Sequence, residues 1–184
     1  MEPLEIINKY YQPGSQLHEI LLIHSQLVTQ KALWLAKKVA HLSPDVQFIR
    51  EAAMLHDIGI IHTNAPGIAC FGEAPYIQHG IIGREILEKE GLPKHALVCE
   101  RHTGVGISRT DIAAKNLPLP DRDLLPVSIE EQIICLADKF YSKTPAKLRN
   151  EKSLAKVRNS IAKHGESKLQ TLNNWLIFFG VEDS

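Results

Sequence analysis

Apolar residues along most of the chain recur every three or four positions, which is the spacing of one face of an α-helix. The clearest case lies in residues 15–40, where Val28, Ala32 and Leu35 form an apolar stripe. His24 falls on that stripe. Its imidazole is therefore expected to point into the core.

A second helix is predicted to end at a histidine-aspartate pair. Ser43-Pro44 indicates a cap followed by a first-turn proline, and the apolar repeat after it runs to His56-Asp57 before Gly59. An ionisable pair is thus expected at the end of an apolar helix.

The rest of the chain continues the helical pattern. Pro75 and Pro93 are expected to start helices that reach Gly91 and His102, and Ser128-x-x-Glu131 is a capping-box pattern for a helix that includes Asp138. Two amphipathic stretches follow, in residues 153–164 and 167–179. Long loops are predicted over residues 60–75 and 103–127, the second with a helical turn near residues 111–115. The interpretation is an all-α bundle of about six to eight helices.

Length and composition favour one domain that acts on a small partner. The 184 residues are 44% hydrophobic, and 21 basic side chains balance 21 acidic ones. This balance predicts neither a nucleic-acid nor a membrane partner. The predicted domain covers residues 1–184, with a core in residues 17–141 and C-terminal helices in residues 151–180 packed on it. The three cysteines lack CxxC spacing and are expected to be reduced, and the N-terminus lacks a signal pattern, which favours a cytoplasmic location.

The His56-Asp57 pair is the main chemical signal. A carboxylate against an apolar run costs several kcal/mol unless a cation or hydrogen bonds offset it. His24 and Asp138, which also lie on apolar faces, supply an imidazole and a carboxylate that can converge with the pair. Two imidazoles and two carboxylates suit a divalent transition metal such as iron, manganese, zinc, cobalt or nickel.

These residues and their order resemble the HD-domain superfamily of metal-dependent phosphohydrolases over about residues 17–141. The match consists of His24, the quartet His56-Asp57-Ile58-Gly59 and a distant Asp138. The resemblance implies that these residues bind metal on a helical scaffold. The quartet places the chain near the HDIG-type subgroup.

Members of the superfamily with two metals draw two further histidines from helices between the doublet and the last aspartate. His79 and His102 match those positions, and the resemblance implies that Asp57 bridges two metals. The chain lacks the double histidine and the Gly-Tyr-Pro signature of cyclic-dinucleotide enzymes. It also has Ile60 where many HDIG proteins carry a phosphate-contacting lysine.

The resemblance implies that the metals activate a water to attack phosphorus in a phosphomonoester or phosphodiester, with a nucleotide as a candidate substrate. Arg101 and Lys139 adjoin proposed ligands, and Arg84 lies about one turn beyond His79, so these three are predicted to bind phosphate. Glu73 is a candidate proton shuttle or partner of a ligand histidine.

Two other functions fit the same residues. Some HD-fold proteins with four histidines and two aspartates hold two irons and oxidise substrates with dioxygen, and a nucleotide-binding sensor is the other alternative. The remaining histidines are given no function: His62 is assigned to a loop surface, and His18, His41, His95 and His164 to polar faces or helix ends. The basic stretch in residues 143–163 is interpreted as a solvated face.

Overall fold

The helical pattern of the sequence is realised as nine α-helices within residues 1–181, the part of the chain that the computed structural model describes. They are α1 (Pro3–Tyr10), α2 (Gln16–Lys38), α3 (Val46–Leu55), α4 (His79–Lys89), α5 (Pro93–Arg101), α6 (Arg109–Ala114), α7 (Ile129–Asp138), α8 (Leu154–Ala162) and α9 (Glu166–Phe178). The mostly helical class is confirmed. The count exceeds six to eight because α1 was not predicted and α6 was predicted only as a turn. None of these helices is long and apolar enough to cross a membrane.

The start of α3 differs from the prediction. Ser43 is in the left-handed conformation, with φ of 51°, at the end of a 3-10 turn over Ala40–Leu42. Asp45 is the N-cap instead, and its carboxylate accepts a hydrogen bond from the Phe48 amide at 2.9 Å. This cap stabilises a helix that begins at Val46 rather than at Pro44.

The cap of α7 forms only in part. Ser128 Oγ accepts from the Glu131 amide at 3.2 Å, as the pattern predicted. The Glu131 carboxylate accepts from the Val127 amide at 2.8 Å and does not close the box on Ser128. A complete capping box forms at α6, between Ser108 and Asp111.

The first long loop contains a small sheet. Strand β1 (Thr63–Ala65) pairs antiparallel with β2 (Cys70–Phe71) and parallel with β3 (Ala74–Pro75), in the order β2-β1-β3. Strands of two or three residues are too short to show the alternation by which a strand is recognised in a sequence. The sheet is an addition to the predicted all-α architecture. A 3-10 turn, Tyr76–Gln78, then leads into α4, so this helix begins after Pro75 rather than at it.

Two apolar clusters form the core. One contains Val28 of α2 and Ala53 of α3, with residues of α7, α8 and α9. The other contains Leu21 of α2 and Ile58, with residues of α1, α4 and α5. On α2 the clusters change over between Leu21 and Val28, where His24 lies. On α3 they change over between Ala53 and Leu55, and His56-Asp57 follow directly, so the polar centre lies beside the junction of the clusters.

The Gly59 backbone touches α4. A Cβ atom at Gly59 would lie 2.1 Å from the His79 carbonyl oxygen and 2.3 Å from the Gly83 amide nitrogen. Both neighbours are main-chain atoms, which cannot move aside as a side chain does. The 3-10 turn Ile58–His62 therefore requires glycine at this position to pack on α4.

Two histidines that were assigned to polar surfaces are buried. His18 contacts the Asn8 side-chain oxygen at 3.0 Å, and His95 contacts the Glu51 carboxylate at 3.3 Å. Both lie in the first turn of a helix, as predicted, but their burial was not predicted because their partners lie on α1 and α3, which local spacing does not reveal. His41 and His164 are exposed, as predicted.

Candidate metal centre

The six side chains that the sequence predicts as metal ligands meet in one buried centre. They come from the ends or inward faces of five helices: His24 from α2, His56 and Asp57 after α3, His79 from α4, His102 after α5 and Asp138 from α7. None is more than 9% exposed.

The first group of ligand atoms belongs to His24, His56, Asp57 and Asp138, whose nearest donor atoms lie within 4.8 Å of one another. His24 Nε2 lies 3.1 Å from Asp57 Oδ2 and 3.0 Å from Asp138 Oδ1. His56 Nε2 lies 2.9 Å from Asp57 Oδ2. Two imidazoles and two carboxylates thus surround one point.

The second group belongs to Asp57, His79 and His102. The Nε2 atoms of His79 and His102 lie 3.5 Å and 3.4 Å from Asp57 Oδ1. Asp57 therefore directs one carboxylate oxygen to each group. This is the geometry of a bridging ligand.

Main-chain carbonyls orient three of the four histidines. The Nδ1 atoms of His56, His79 and His102 donate to the carbonyl three residues earlier, at 2.7, 2.7 and 2.8 Å. A carbonyl only accepts, so Nδ1 carries the proton and Nε2 faces the centre. Metal-ligating histidines are commonly fixed by such a bond through the other ring nitrogen.

The Nε2 atoms of His79 and His102 face each other at 3.1 Å. Burial, together with the neighbouring His102, lowers the pKa of His79 to about 3, and burial lowers the pKa of His102. Both rings are therefore neutral at pH 7 and present two lone pairs to each other. A cation between them removes this repulsion, so the pair fits a metal ion.

The first group fits a metal ion as well. Within residues 1–181, His56 Nε2 and both oxygens of Asp57 are buried atoms without a hydrogen bond of acceptable geometry. Leaving a charged group unsatisfied in the interior is costly. Coordination to a metal ion would satisfy these atoms.

Two lysines lie against the ligand carboxylates. Lys143 Nζ is 2.6 Å from Asp57 Oδ2, and Lys139 Nζ is 2.7 Å from Asp138 Oδ2. Lys139 was among the predicted phosphate-binding residues, whereas Lys143 was assigned to a solvated face. That assignment was wrong, because the Lys143 side chain is only 12% exposed. The polar sequence Ser142-Lys143-Thr144 gives no local sign of burial.

The charges of the centre are strongly coupled. Burial opposes ionisation of Asp57 and Asp138. His56 and Lys143 nevertheless hold the pKa of the Asp57 carboxyl well below its usual range, and Lys139 and Lys143 do the same for Asp138. Burial would likewise lower the pKa of His56, but Asp57 and Asp138 raise it to about 9. The centre is thus built around two ionised carboxylates.

The structure does not bring the other predicted residues into either ligand group. Arg84 donates to both oxygens of Glu100 at 2.8 Å, and Arg101 donates to both oxygens of Glu131 at 3.1 Å. Glu73 is exposed in the loop before α4. The surface position of His62 is as predicted.

Two cavities adjoin Lys143. One, of about 440 Å3, lies beside residues 65–68 and is also lined by Tyr76 and Lys143. The other, of about 220 Å3, is lined by Asp138, Lys139 and Lys143 among others. The smaller cavity therefore reaches the Asp138 side of the centre.

Similar proteins are known among archaeal sequences. The chain is 37% identical to an uncharacterised protein of Methanocaldococcus jannaschii over 66% of each protein. It is 31% identical over 76% of its length to a tRNA (cytidine(56)-2'-O)-methyltransferase of Thermoplasma volcanium, and 33% identical over 67% of its length to that of Picrophilus torridus. The matched region makes up only 35% and 32% of those two longer proteins, and the methyltransferase name refers to the whole protein in each case.

A solved structure matches the fold of this chain, and a sequence model identifies its family. The HD domain of the phosphodiesterase PgpH from L. monocytogenes, in complex with cyclic-di-AMP, superposes with a TM-score of 0.53 over 96% of this chain and 93% of that one, at 17% identity. The sequence model of the HD domain matches residues 21–142, which include all six residues of the two ligand groups. The chain belongs to the HD domain family.

Proposed function

We propose that the protein is a metal-dependent phosphohydrolase that acts on a small phosphomonoester or phosphodiester. One observation carries the proposal: Asp57 faces two groups of ligand atoms, and two lysines lie directly against the ligand carboxylates. A bridging carboxylate between two cation sites is suited to phosphate chemistry, and the lysines suit an anionic substrate.

The residues divide into two ligand sets with Asp57 in common. His24, His56 and Asp138 would hold one divalent transition metal, and His79 and His102 the other. When bound, such metals lower the pKa of a water and neutralise phosphate charge. The net reaction adds water across a P–O bond and yields a phosphate group and an alcohol.

The chain's own side chains position the substrate. The ammonium groups of Lys143 and Lys139 form ion pairs with two different carboxylates of the centre, and each can turn a donor towards a phosphate oxygen. Arg84 and Arg101 form ion pairs with Glu100 and Glu131. Phosphate binding is therefore assigned to the two lysines instead. Glu73 stays a candidate for proton transfer only if the loop carries it to the substrate.

A nucleotide belongs to the proposed substrate class. The PgpH domain was crystallised with cyclic-di-AMP, which is a phosphodiester of two nucleotides. At 17% identity this neighbour supports the choice of compounds to test rather than a particular substrate.

The experiment is a panel of phosphate esters supplied to metal-free protein that has been reloaded separately with manganese, iron, cobalt, nickel or zinc. We expect metal-dependent phosphate or alcohol release that disappears in His56→Ala and Asp57→Asn. His41→Ala is the matched control, because His41 is exposed. Its activity should equal that of the wild type.

Two outcomes would replace the proposal. Oxygen consumption by the iron-loaded protein, with no phosphate release under any metal, would assign the alternative di-iron oxygenase. Tight nucleotide binding without turnover under all five metals would assign the sensor.

A further inference from the structure

The polar cavity beside the metal centre has one wall that comes from the C-terminal helices. This cavity, of about 220 Å3, is lined by Asp138 and Lys139 on one side and by Lys152, Ser160 and His164 on the other. Lys152 Nζ donates to the main-chain oxygens of Lys139 and Tyr141, both at 3.0 Å. An ammonium group has three donors, so a third is left to point into the cavity.

A second cavity adjoins the first. It has a volume of about 250 Å3 and shares Gly104, Ile161 and His164 with the polar cavity. Its walls are mainly apolar and include Ile77 and Leu117. Together the two cavities have the size of a site for one small molecule and not for a polymer.

The far wall of the apolar cavity is held in place by Lys168 of α9. Lys168 Nζ lies 2.6 Å from Asp111 Oδ2 and donates to the Gly106 carbonyl at 2.8 Å. These contacts attach α9 to α6 and to the loop that follows His102. The cavity is therefore enclosed by three connected segments and is already formed.

The residues of this wall lie beyond the segment that the HD domain sequence model matches. The HD domain match ends at residue 142, whereas Lys152, Ile161, His164 and Lys168 all follow it. The family match accounts for the ligand groups and gives no role to this wall. The wall is the part of the site that can set which ester the protein accepts.

We infer that the two cavities together form the substrate site, with the reacting phosphate in the polar cavity beside the metal centre and a single ring-sized, largely apolar group in the cavity of Ile77, Leu117 and Ile161. This inference rests on the proposed function and adds the substrate class to it. The lysine-lined cavity receives the phosphate end, because its charges match, and the apolar cavity gains free energy by covering a ring.

The test measures binding of phosphonates, which cannot be hydrolysed at the C–P bond. Phenylphosphonate carries a ring and methylphosphonate does not, so their affinities for the metal-loaded protein, measured by calorimetry, isolate the ring. We expect phenylphosphonate to bind the wild type at least tenfold more tightly. Leu117→Trp, which fills the apolar cavity, should remove this preference and leave the affinity for methylphosphonate unchanged.

Leu119→Trp is the matched control, because Leu119 is close in sequence but does not line the cavity. It should keep the full preference. Leu117→Phe is a smaller change that serves if the tryptophan variant does not fold, and it should reduce the preference in part.

The outcomes separate the two proposals. Equal affinity of the wild type for the two phosphonates, or a preference that survives in Leu117→Trp, would overturn the inference while phosphatase activity stands. Binding of neither phosphonate, combined with no turnover of any ester, would overturn the proposed function and the inference with it.

Discussion

The ammonium group of Lys143 lies 2.6 Å from the Oδ2 atom of Asp57, the carboxylate that faces both groups of ligand atoms. A positive side chain in this position weakens metal binding through repulsion and strengthens phosphate binding through attraction. The two effects have opposite signs, so substitution of Lys143 can separate them.

Lys143→Met is therefore expected to bind metal at least as tightly as the wild type but to lose about 10²-fold in kcat/KM, as is typical when one electrostatic donor to a transition state is removed. Lys143→Arg should recover part of the loss. Metal titration and steady-state kinetics measure the two quantities. Lys147→Met, which changes an exposed lysine of the same loop, is the control. An equal loss in the control would mean that general surface charge, not Lys143, is responsible.

The two ligand groups predict a metal count. The wild type should bind two divalent ions per chain, and a double variant of the second group, His79→Ala with His102→Ala, should bind one. Asp57→Asn should weaken both sites, because each group uses one oxygen of this carboxylate. Elemental analysis after equilibrium dialysis gives the count. Full retention of two ions by the double variant would contradict the assignment of the second group.

Metal binding should also stabilise the fold. At a metal concentration of about 100 times Kd, binding to the native state adds about 2.7 kcal/mol to the free energy of unfolding. For a chain of this size the midpoint temperature should rise by about 5–10 °C. Calorimetry with and without metal checks the shift. An unchanged midpoint in the wild type would contradict a site formed by the folded protein.

Gly59→Ala should destabilise the protein through a main-chain clash. The added Cβ would lie 2.1 Å from the His79 carbonyl oxygen, and relief requires that the 3-10 turn and α4 move apart. We expect a loss of about 1–3 kcal/mol in the free energy of unfolding, together with weaker metal binding. Gly67→Ala is the matched control, because a Cβ there has no neighbour within 4 Å. Chemical denaturation compares the two variants, which should differ clearly.

Asp111 should make stability depend on pH in the acid range. Burial opposes its ionisation, but Lys168 and Ser108 hold the pKa of this carboxyl below its usual range. A carboxyl group whose pKa is lower in the folded state than in the unfolded state stabilises the fold. This contribution to the free energy of unfolding is complete above the unfolded pKa of about 3.9, and it is lost as the pH falls through the folded pKa. Asp111→Asn should cost about 1–2 kcal/mol at pH 7. The difference in Tm from the wild type should shrink below about pH 4, and a constant difference down to pH 2 would contradict this origin.

Glu73→Gln tests the remaining catalytic prediction from the sequence. The exposed position of Glu73 outside both ligand groups leads us to expect a change in kcat of less than about threefold, which is below the contribution typical of a general acid or base. Steady-state kinetics at several pH values measures it. A loss of 10²-fold with an altered pH profile would reinstate Glu73 as a proton shuttle.

The sequence predicted those parts of the protein in which local pattern and chemistry agree. His24 lies on an apolar helical stripe and Asp138 in an apolar run. At both positions the pattern predicts a buried ionisable side chain, which needs a cation or hydrogen bonds as a partner. The helix that carries Asp138 begins with the predicted side-chain cap from Ser128, and the helix that carries His24 begins with a cap from Ser15 that was not predicted.

The parts that were missed depend on contacts between distant segments. Lys143 belongs to a polar loop by composition and is buried only because Asp57, Asp138 and Tyr76 surround it. Arg84 and Arg101 adjoin predicted ligands in sequence, but Glu100 and Glu131 hold their guanidinium groups. α1 has only eight residues, and its role becomes visible in Tyr11 just after it, whose hydroxyl donates to the Ile58 carbonyl at 2.7 Å.

The contact at Gly59 makes the spacing of the centre independent of the identity of the donor side chains. Backbone atoms on both sides fix the distance between the segment that carries His56-Asp57 and the helix that begins at His79. Exchange of one ligand side chain for another can then alter which ion is preferred while the spacing of the two positions is kept. The spacing of the two segments is thus set by main-chain atoms, whereas the donor atoms are set by the side chains, so we expect a substitution of one donor to leave the spacing unchanged.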